Sequence, residues 1–406
     1  MTTKRKLASI QTIKNLRPIP NADRIEVATI NGWDLVVKKG DFKIGDPAIY
    51  FEIDSFLPNE PEYEFVGSLK SNPITLNREN PDQGFRLKTI KLRKQMSQGL
   101  ALKFDKVSEK PSGLNKETLI EKLKSLPIGS DVSELLGVTK WERQEAQTDL
   151  GNGIGEFPEI YTSKTNEERI QTMPKSYEVL IGKDAFINAK YDGTSSTIIY
   201  DPNIDELIYA TRNMQISPIN TIAAIAKEMD MLDKLLQFGR EVGKVVVIQS
   251  ELYGQKIQDN TLGIRGKRLA TFNVEVDGQR LGLVDMLKLT KRLNLELPEI
   301  MEVRSTDQAK LDQIKELVKE INVGRKDERL RKSPEEVLTP VTIFNYILES
   351  FNATTNELLD MANECKYVTN QKYQEGIVIR TLDNIDAWNP ISFKVISNKF
   401  LLKYDK

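Results

Sequence analysis

Histidine is absent from the 406 residues. That excludes every Ser-His-Asp and Cys-His nucleophile and every histidine-bound metal. Cysteine occurs once, at Cys365, so there is neither a disulfide framework nor an all-cysteine zinc site. No apolar run approaches the roughly 20 residues that cross a bilayer. The opening MTTKRKLASIQTIKNLRPIP is basic but has no apolar stretch and cleavage site of the secretory kind. Charge imbalance is missing too. Lys plus Arg is 58 and Asp plus Glu is 59, leaving −1 and no bulk field to gather a polyanion. Any nucleic-acid surface must therefore be a local patch. With 39% hydrophobic and 29% charged residues, the expectation is a globular protein of the cytoplasm. Its chemistry must come from Lys, Arg, carboxylates, hydroxyls and oxygen-bound metals.

The length suggests two or three domains of roughly 100–200 residues each. Residues 1–145 read as short β-branched and aromatic strands at 27–30, 33–37 and 48–53. Turns at Asn31-Gly32, Lys39-Gly40-Asp41 and Gly45-Asp46-Pro47 separate them, which suggests a small β-barrel. Residues 116–126 read as a short amphipathic helix. Residues 146–158 are polar and Gly-rich and read as a linker. From 159 to 406, strand-like runs at 185–189, 196–200, 207–211, 244–252, 269–276, 376–380 and 391–396 mix with helical patterns near 220–238, 283–293, 307–321, 340–350 and 355–365. They do not alternate regularly, so the class expected is α+β, with antiparallel sheets flanked by helices. The charged stretch 307–336 reads as a solvated helix and its loop.

Lys190-Tyr191-Asp192-Gly193 comes directly after the strand-like 185–189. Alone, Lys-x-Asp-Gly is a turn after a strand. Its weight comes from the segments downstream of it, in this order: Tyr209-Ala210-Thr211-Arg212-Asn213, Ser250-Glu251-Leu252-Tyr253-Gly254, Thr271-Phe272-Asn273-Val274, Glu375-Gly376-Ile377-Val378-Ile379-Arg380, and Ser392-Phe393-Lys394-Val395. Each lies in, or at the end of, a strand-like run. The ordered set resembles the covalent nucleotidyltransferases, the superfamily of ATP-dependent ligases and mRNA capping enzymes. It is more similar to the RNA ligases. The front end, with Pro20-Asn21-Ala22-Asp23-Arg24-Ile25-Glu26, the Gly45-Asp46 turn and the run from Arg86 to Arg93, resembles the OB module that precedes the transferase in Naegleria-type (family 5) RNA ligases.

That resemblance implies ATP as nucleotide and Mg²⁺ or Mn²⁺ as metal. It implies that Lys190 attacks the α-phosphorus, that AMP passes to an RNA 5′-phosphate, and that a 3′-OH then displaces it, sealing RNA ends in repair. A lysine of ordinary pKa near 10.4 costs roughly 4–5 kcal/mol to deprotonate at pH 7. A bound cation lowers that cost, and no histidine exists to share it. Asp192 and Glu375 are expected to hold that cation, through its waters. The resemblance further implies Lys394 at the α-phosphate, Glu251 at the ribose, Phe272 stacked on adenine, Arg212 at the RNA 5′-phosphate, and a role for Arg169, which lies upstream of the nucleophile. Ala189 offers the purine only backbone. Where some RNA ligases carry Lys-x-Lys in the last motif, Ile396 takes the second position here, with Lys399 further on.

Plainer readings fit the same residues taken singly: Phe272 in a core, Glu251 and Glu375 at the surface, Arg169 and Arg212 solvated or salt-bridged. Arg86, Lys88, Lys91, Arg93 and Lys94 occur without an intervening acid and are the expected phosphate-backbone contacts of the OB module, with Arg265 and Lys267 a second candidate. A lysine-blunted edge strand is the alternative. The partner expected is RNA with 3′-OH and 5′-phosphate ends in a nicked duplex, bound by a monomer with no membrane association. Capping guanylyltransferases and DNA ligases commonly carry a further OB domain after the transferase, whereas only twelve residues lie beyond Lys394. They stay as alternatives, beside a non-catalytic RNA-binding protein that keeps the transferase shell.

Overall fold

A computed structural model describes residues 5–68, 73–75, 83–141, 150–165, 167–172, 177–323, 340–364, 374–383 and 391–404. The chain divides into two compact units, over residues 1–145 and 146–404. The first unit is mostly β, as its turn-punctuated strands imply. A sheet of Asn15–Pro18, Ile25–Ile30 and Trp33–Lys38 turns through Asn31, which takes the left-handed conformation that Asn tolerates. A second sheet places Pro47–Phe51 between Ala8–Thr12 and Leu100–Leu102. Ala8, Ile10, Ile49, Phe51 and Leu57 bury against Leu119 and Leu123 of the helix Lys116–Ser125. That helix starts where expected because Asn115 accepts from Thr118 N at 2.9 Å, satisfying an otherwise orphaned first-turn donor. Among the described residues the strands form separate sheets and not one closed hydrogen-bonded ring.

The second unit contains a seven-stranded and a six-stranded sheet. The seven-stranded sheet is built around Thr194–Asp201, Val246–Gly254 and Lys267–Val276, paired antiparallel. Residues 153–156, inside the stretch expected as linker, form its edge strand Gly153–Glu156 beside Met214–Ile216. Glycines at 153 and 155 hid that strand, since glycine carries little β-propensity. Residues 142–149 lie outside the described set. The six-stranded sheet centres on Ala185–Lys190, flanked by Gly376–Thr381 and then Ser392–Ile396 on one side and Ile300–Arg304 on the other. Helices Thr221–Glu228, Leu232–Val242, Leu283–Leu293 and Gln308–Asn322 bury leucine and isoleucine faces into one core with Ile198 and Ile248.

Two readings change. The single helix expected over 220–238 is two, broken at Asp230 with φ 56°. The helix expected near 340–350 is instead the strand Ile343–Ile347, parallel to Ile300–Arg304. A five-residue apolar run fits either period, and the free edge beside Ile300–Arg304 decides it.

Leu232–Val242 lies very close to Thr194–Asp201. A Cβ at Gly239 would stand 2.2 Å from the Tyr200 ring, whose hydroxyl is fixed on Asp205 at 3.0 Å. Helix propensity favours Gly239→Ala by about 1 kcal/mol, but overpacking costs about 1–3 kcal/mol, and the clash wins. The expected outcome is a net loss of up to about 2 kcal/mol in the urea unfolding free energy; a gain would show that the ring moves aside freely.

Candidate active site

Lys190 is the last residue of Ala185–Lys190, where the register sets its surroundings. Lys190 lies opposite Gly376, which lies opposite Ile396. Asn188 lies opposite Val378, and Val378 opposite Lys394. Phe186 lies opposite Arg380. Arg169, on the short strand Glu168–Arg169, runs parallel beside Lys394. Paired residues share a face and alternate residues share a side. Lys190, Lys394, Arg169 and Arg380 therefore occupy one face. The opposite face, Ile187, Ala189, Ile377, Ile379, Phe393 and Val395, is buried in the core.

At that face the Lys190 ammonium meets Glu375 at 2.7 Å, both half-buried. Burial pulls the lysine pKa down, but Glu375, then Glu251 and then Asp192 outweigh it and hold the amine protonated above its ordinary range. The free amine expected for a nucleophile is therefore not the state of the protein by itself. Glu251 is pushed up to about 8, first by burial, with Glu375 and Asp192 adding to the effect and Lys190 opposing it. Its neighbourhood explains Gly193. A Cβ there would sit 2.3 Å from the Leu252 carbonyl and 2.8 Å from Glu251 Cγ. Glycine is what lets the turn after Lys190 close on Glu251.

Three carboxylates thus face one ammonium, and the Glu375 Oε2 is buried without a hydrogen bond. That surplus of negative charge and an orphaned acceptor fit a divalent cation. Among the described residues no three acidic, cysteine or histidine side chains converge tightly enough to ligate an ion alone.

Phe272 is neither core nor regular strand. Gln249 pairs with Asn273 and Ser250 with Thr271, so Phe272 is the extra residue of a β-bulge. Bulges re-aim a side chain, and Phe272 is left half-exposed. The Arg380 guanidinium lies 5.5 Å from its ring centroid. Arg212 is half-buried and donates to the Thr165 carbonyl at 3.2 Å, beside the Glu167–Arg169 segment. Ile396 is buried, and Lys399 is exposed on the helix Asn398–Tyr404. The residues that sequence reasoning left unassigned are Arg380 and Glu167, joined at 2.5 Å. A lone cation in the apolar run Gly376–Thr381 was the available signal, since buried charge is paired charge.

The basic run of the first unit sorts by burial. Arg86 is buried, paired with Asp54 at 2.9 Å and laid over Trp141 at 3.5 Å, so it supports the fold and is not offered to a phosphate. Lys88 is half-buried. Lys91, Arg93 and Lys94 are exposed on the hairpin of Ile90–Leu92 and Gln95–Ser97. Arg93 and Lys94 take φ of 48° and 68° at its tip, positions that usually go to Asn-Gly. In the second unit Arg265 is exposed, and Lys267 is half-buried opposite Gly254.

A carboxyl raised from 4.5 to about 8 favours the fold while protonated, so this contribution is full below about pH 4.5 and gone above about pH 8. Mn²⁺ bound against Glu251 would have to displace that proton. Titration calorimetry in buffers of different ionisation enthalpy should show about one proton released per ion near pH 7, with affinity rising up to about pH 8. Glu251→Gln should lower the release by about one proton per ion. No release from the unaltered protein would mean that Glu251 does not face the ion.

An OB-fold domain family matches residues 7–104. No curated protein matches the chain. Solved structures do. A Naegleria gruberi RNA ligase variant with AMP and Mn aligns at TM-score 0.72 and 28% identity, covering 98% of each chain. Another variant, with ATP and Mn, aligns at 0.71 and 28%, and the same ligase with PPi at 0.70 and 29%, again over 98% of each chain. The likeness to Naegleria-type RNA ligases carried by the ordered motifs thus extends through the folded chain, OB module and transferase alike.

Proposed function

We propose that this protein is an ATP-dependent RNA ligase that joins 3′-OH and 5′-phosphate ends through an AMP carried on Lys190. The observation that carries the reading is the amine of Lys190 paired with Glu375 and within electrostatic reach of Glu251 and Asp192, on the sheet face it shares with Lys394 and Arg169. The solved relatives hold ATP, AMP, PPi and Mn, which supports ATP as nucleotide and a divalent ion beside it.

A divalent cation, Mg²⁺ or Mn²⁺, held by Asp192 and Glu375 with Glu251 near, would supply positive charge to this carboxylate pocket. With the carboxylates so occupied, Lys190 would lose the partners that keep it protonated and feel a like charge instead, so that its proton could pass to water. Lys190 Nζ then attacks the α-phosphorus of ATP. A P–N bond forms, a P–O bond breaks, and pyrophosphate leaves. Lys394 and Arg169, side by side, face the charge that builds on the phosphate oxygens. Phe272 presents a half-exposed ring to the base, and Ala189 only its backbone. Arg212 is set to receive the RNA 5′-phosphate in a bidentate fork. AMP passes to that phosphate, and the 3′-OH displaces it.

Lysyl-AMP formation tests the reading. Incubation with α-labelled ATP and Mn²⁺, and then a denaturing gel, should label the protein, and Lys190→Ala should abolish the band. Label from GTP would point to capping, and no label from either to a binding protein. The exposed hairpin of the OB module is the surface that best fits the RNA backbone. Replacing Lys91, Arg93 and Lys94 by Gln should slow sealing of a nicked RNA duplex by about tenfold or more at moderate salt, with lysyl-AMP formation within about twofold. Equal loss in both assays would indicate a folding defect.

A further inference from the structure

Arg380 is the one charged residue of the strand Gly376–Thr381, and its guanidinium makes three directed contacts. Nη1 donates to the Phe272 carbonyl. Nη2 donates to Glu167 Oε1 at 2.5 Å. Nε donates to Ser392 Oγ at 3.3 Å. The contacts belong to three separate pieces of the site. Phe272 is on the seven-stranded sheet, Ser392 is on the strand that carries Lys394, and Glu167 lies two residues before Arg169.

The bulge explains why Phe272 needs this partner. The extra residue of a bulge falls out of the ladder, and its buried polar groups need another mate. Arg380 supplies one, and its Cζ also lies 5.5 Å from the ring centroid. Glu167 holds the guanidinium in turn. Burial pushes the Glu167 carboxyl up, but Arg380 and then Lys394 outweigh it and bring it down to about 2, so the anchor is ionised at every working pH. Lysine could carry the charge but not three contacts in one plane.

We infer that Arg380, anchored by Glu167, is a positioning residue that fixes Phe272 as the platform for the nucleotide base and ties that platform to the strand bearing Lys394. Arg380 touches no reacting atom. Its loss should be felt as weaker nucleotide capture, with the transfer step at saturation little changed. The inference rests on the ligase reading above.

The test is single-turnover lysyl-AMP formation by the full chain across ATP concentrations. Arg380→Lys should raise half-saturating ATP about tenfold or more, with the saturating rate within about threefold. Phe272→Leu should do the same. The double variant should lie within about twofold of Phe272→Leu alone, because both changes remove one platform. Glu167→Gln should move half-saturation in the same direction by a smaller factor, and carries the test if Arg380→Lys unfolds. Unchanged half-saturation in Arg380→Lys and Glu167→Gln, or losses that multiply in the double variant, would overturn the inference alone. No label from ATP in the unaltered protein would overturn the ligase reading, and the inference with it.

Discussion

The site depends on an electrostatic mismatch. Glu375 is bonded to the Lys190 ammonium in a half-buried pocket, Glu251 and Asp192 lie within electrostatic reach of it, and the sum is negative. In a low dielectric an unbalanced buried charge is costly, and two features register that cost: Glu251 is driven to about 8, and Lys190 grips its proton. The carboxylates that make Lys190 a poor nucleophile are also those that would draw in a divalent ion. In the proposed reaction an ion on these carboxylates would reverse that effect, and the amine could then lose its proton. A chain without histidine has no imidazole for this work. On the proposed reading, the protonation of Lys190 would depend instead on a bound ion.

Sheet geometry delivers the groups. Antiparallel register fixes which residues are opposite, and the two-residue period fixes which face they take. Lys190, Lys394 and Arg169 come from separate strands and still lie on one face, because the apolar residues between them are committed to the core behind. The seven-stranded sheet contributes by departing from regularity. Its bulge turns Phe272 out of the ladder, and Arg380 takes up the carbonyl thereby released. A disturbance in one sheet is compensated by a cation from the other.

Much of the fold was legible. The seven strand-like runs of the second unit all appear as strands, because continuous β-branched and apolar runs bounded by turn residues admit little else. Most helices were legible from their apolar period. The exceptions are short or glycine-rich. Gly153–Glu156 lacked side chains to show an alternation, and Ile343–Ile347 was too short to carry a period. In the basic run, spacing could not separate Arg86 from Lys91. Both are cations on short strands, but Arg86 is buried with Asp54 and Trp141 while Lys91 is exposed on a hairpin.

Linear order alone determined the chemistry: a lysine with an aspartate two residues on, distant glutamates, and a final lysine, in a chain with no histidine to serve as a base. Those are properties of residue type, and residue type is local. Tertiary structure decided the rest. It set the protonation of Lys190, the close approach of Glu251 that Gly193 permits, the turning-out of Phe272, and the use of Arg380 and Glu167 as its support. Each of these depends on distances between strands far apart along the chain. Electrostatic and packing energies are functions of those distances and not of sequence separation.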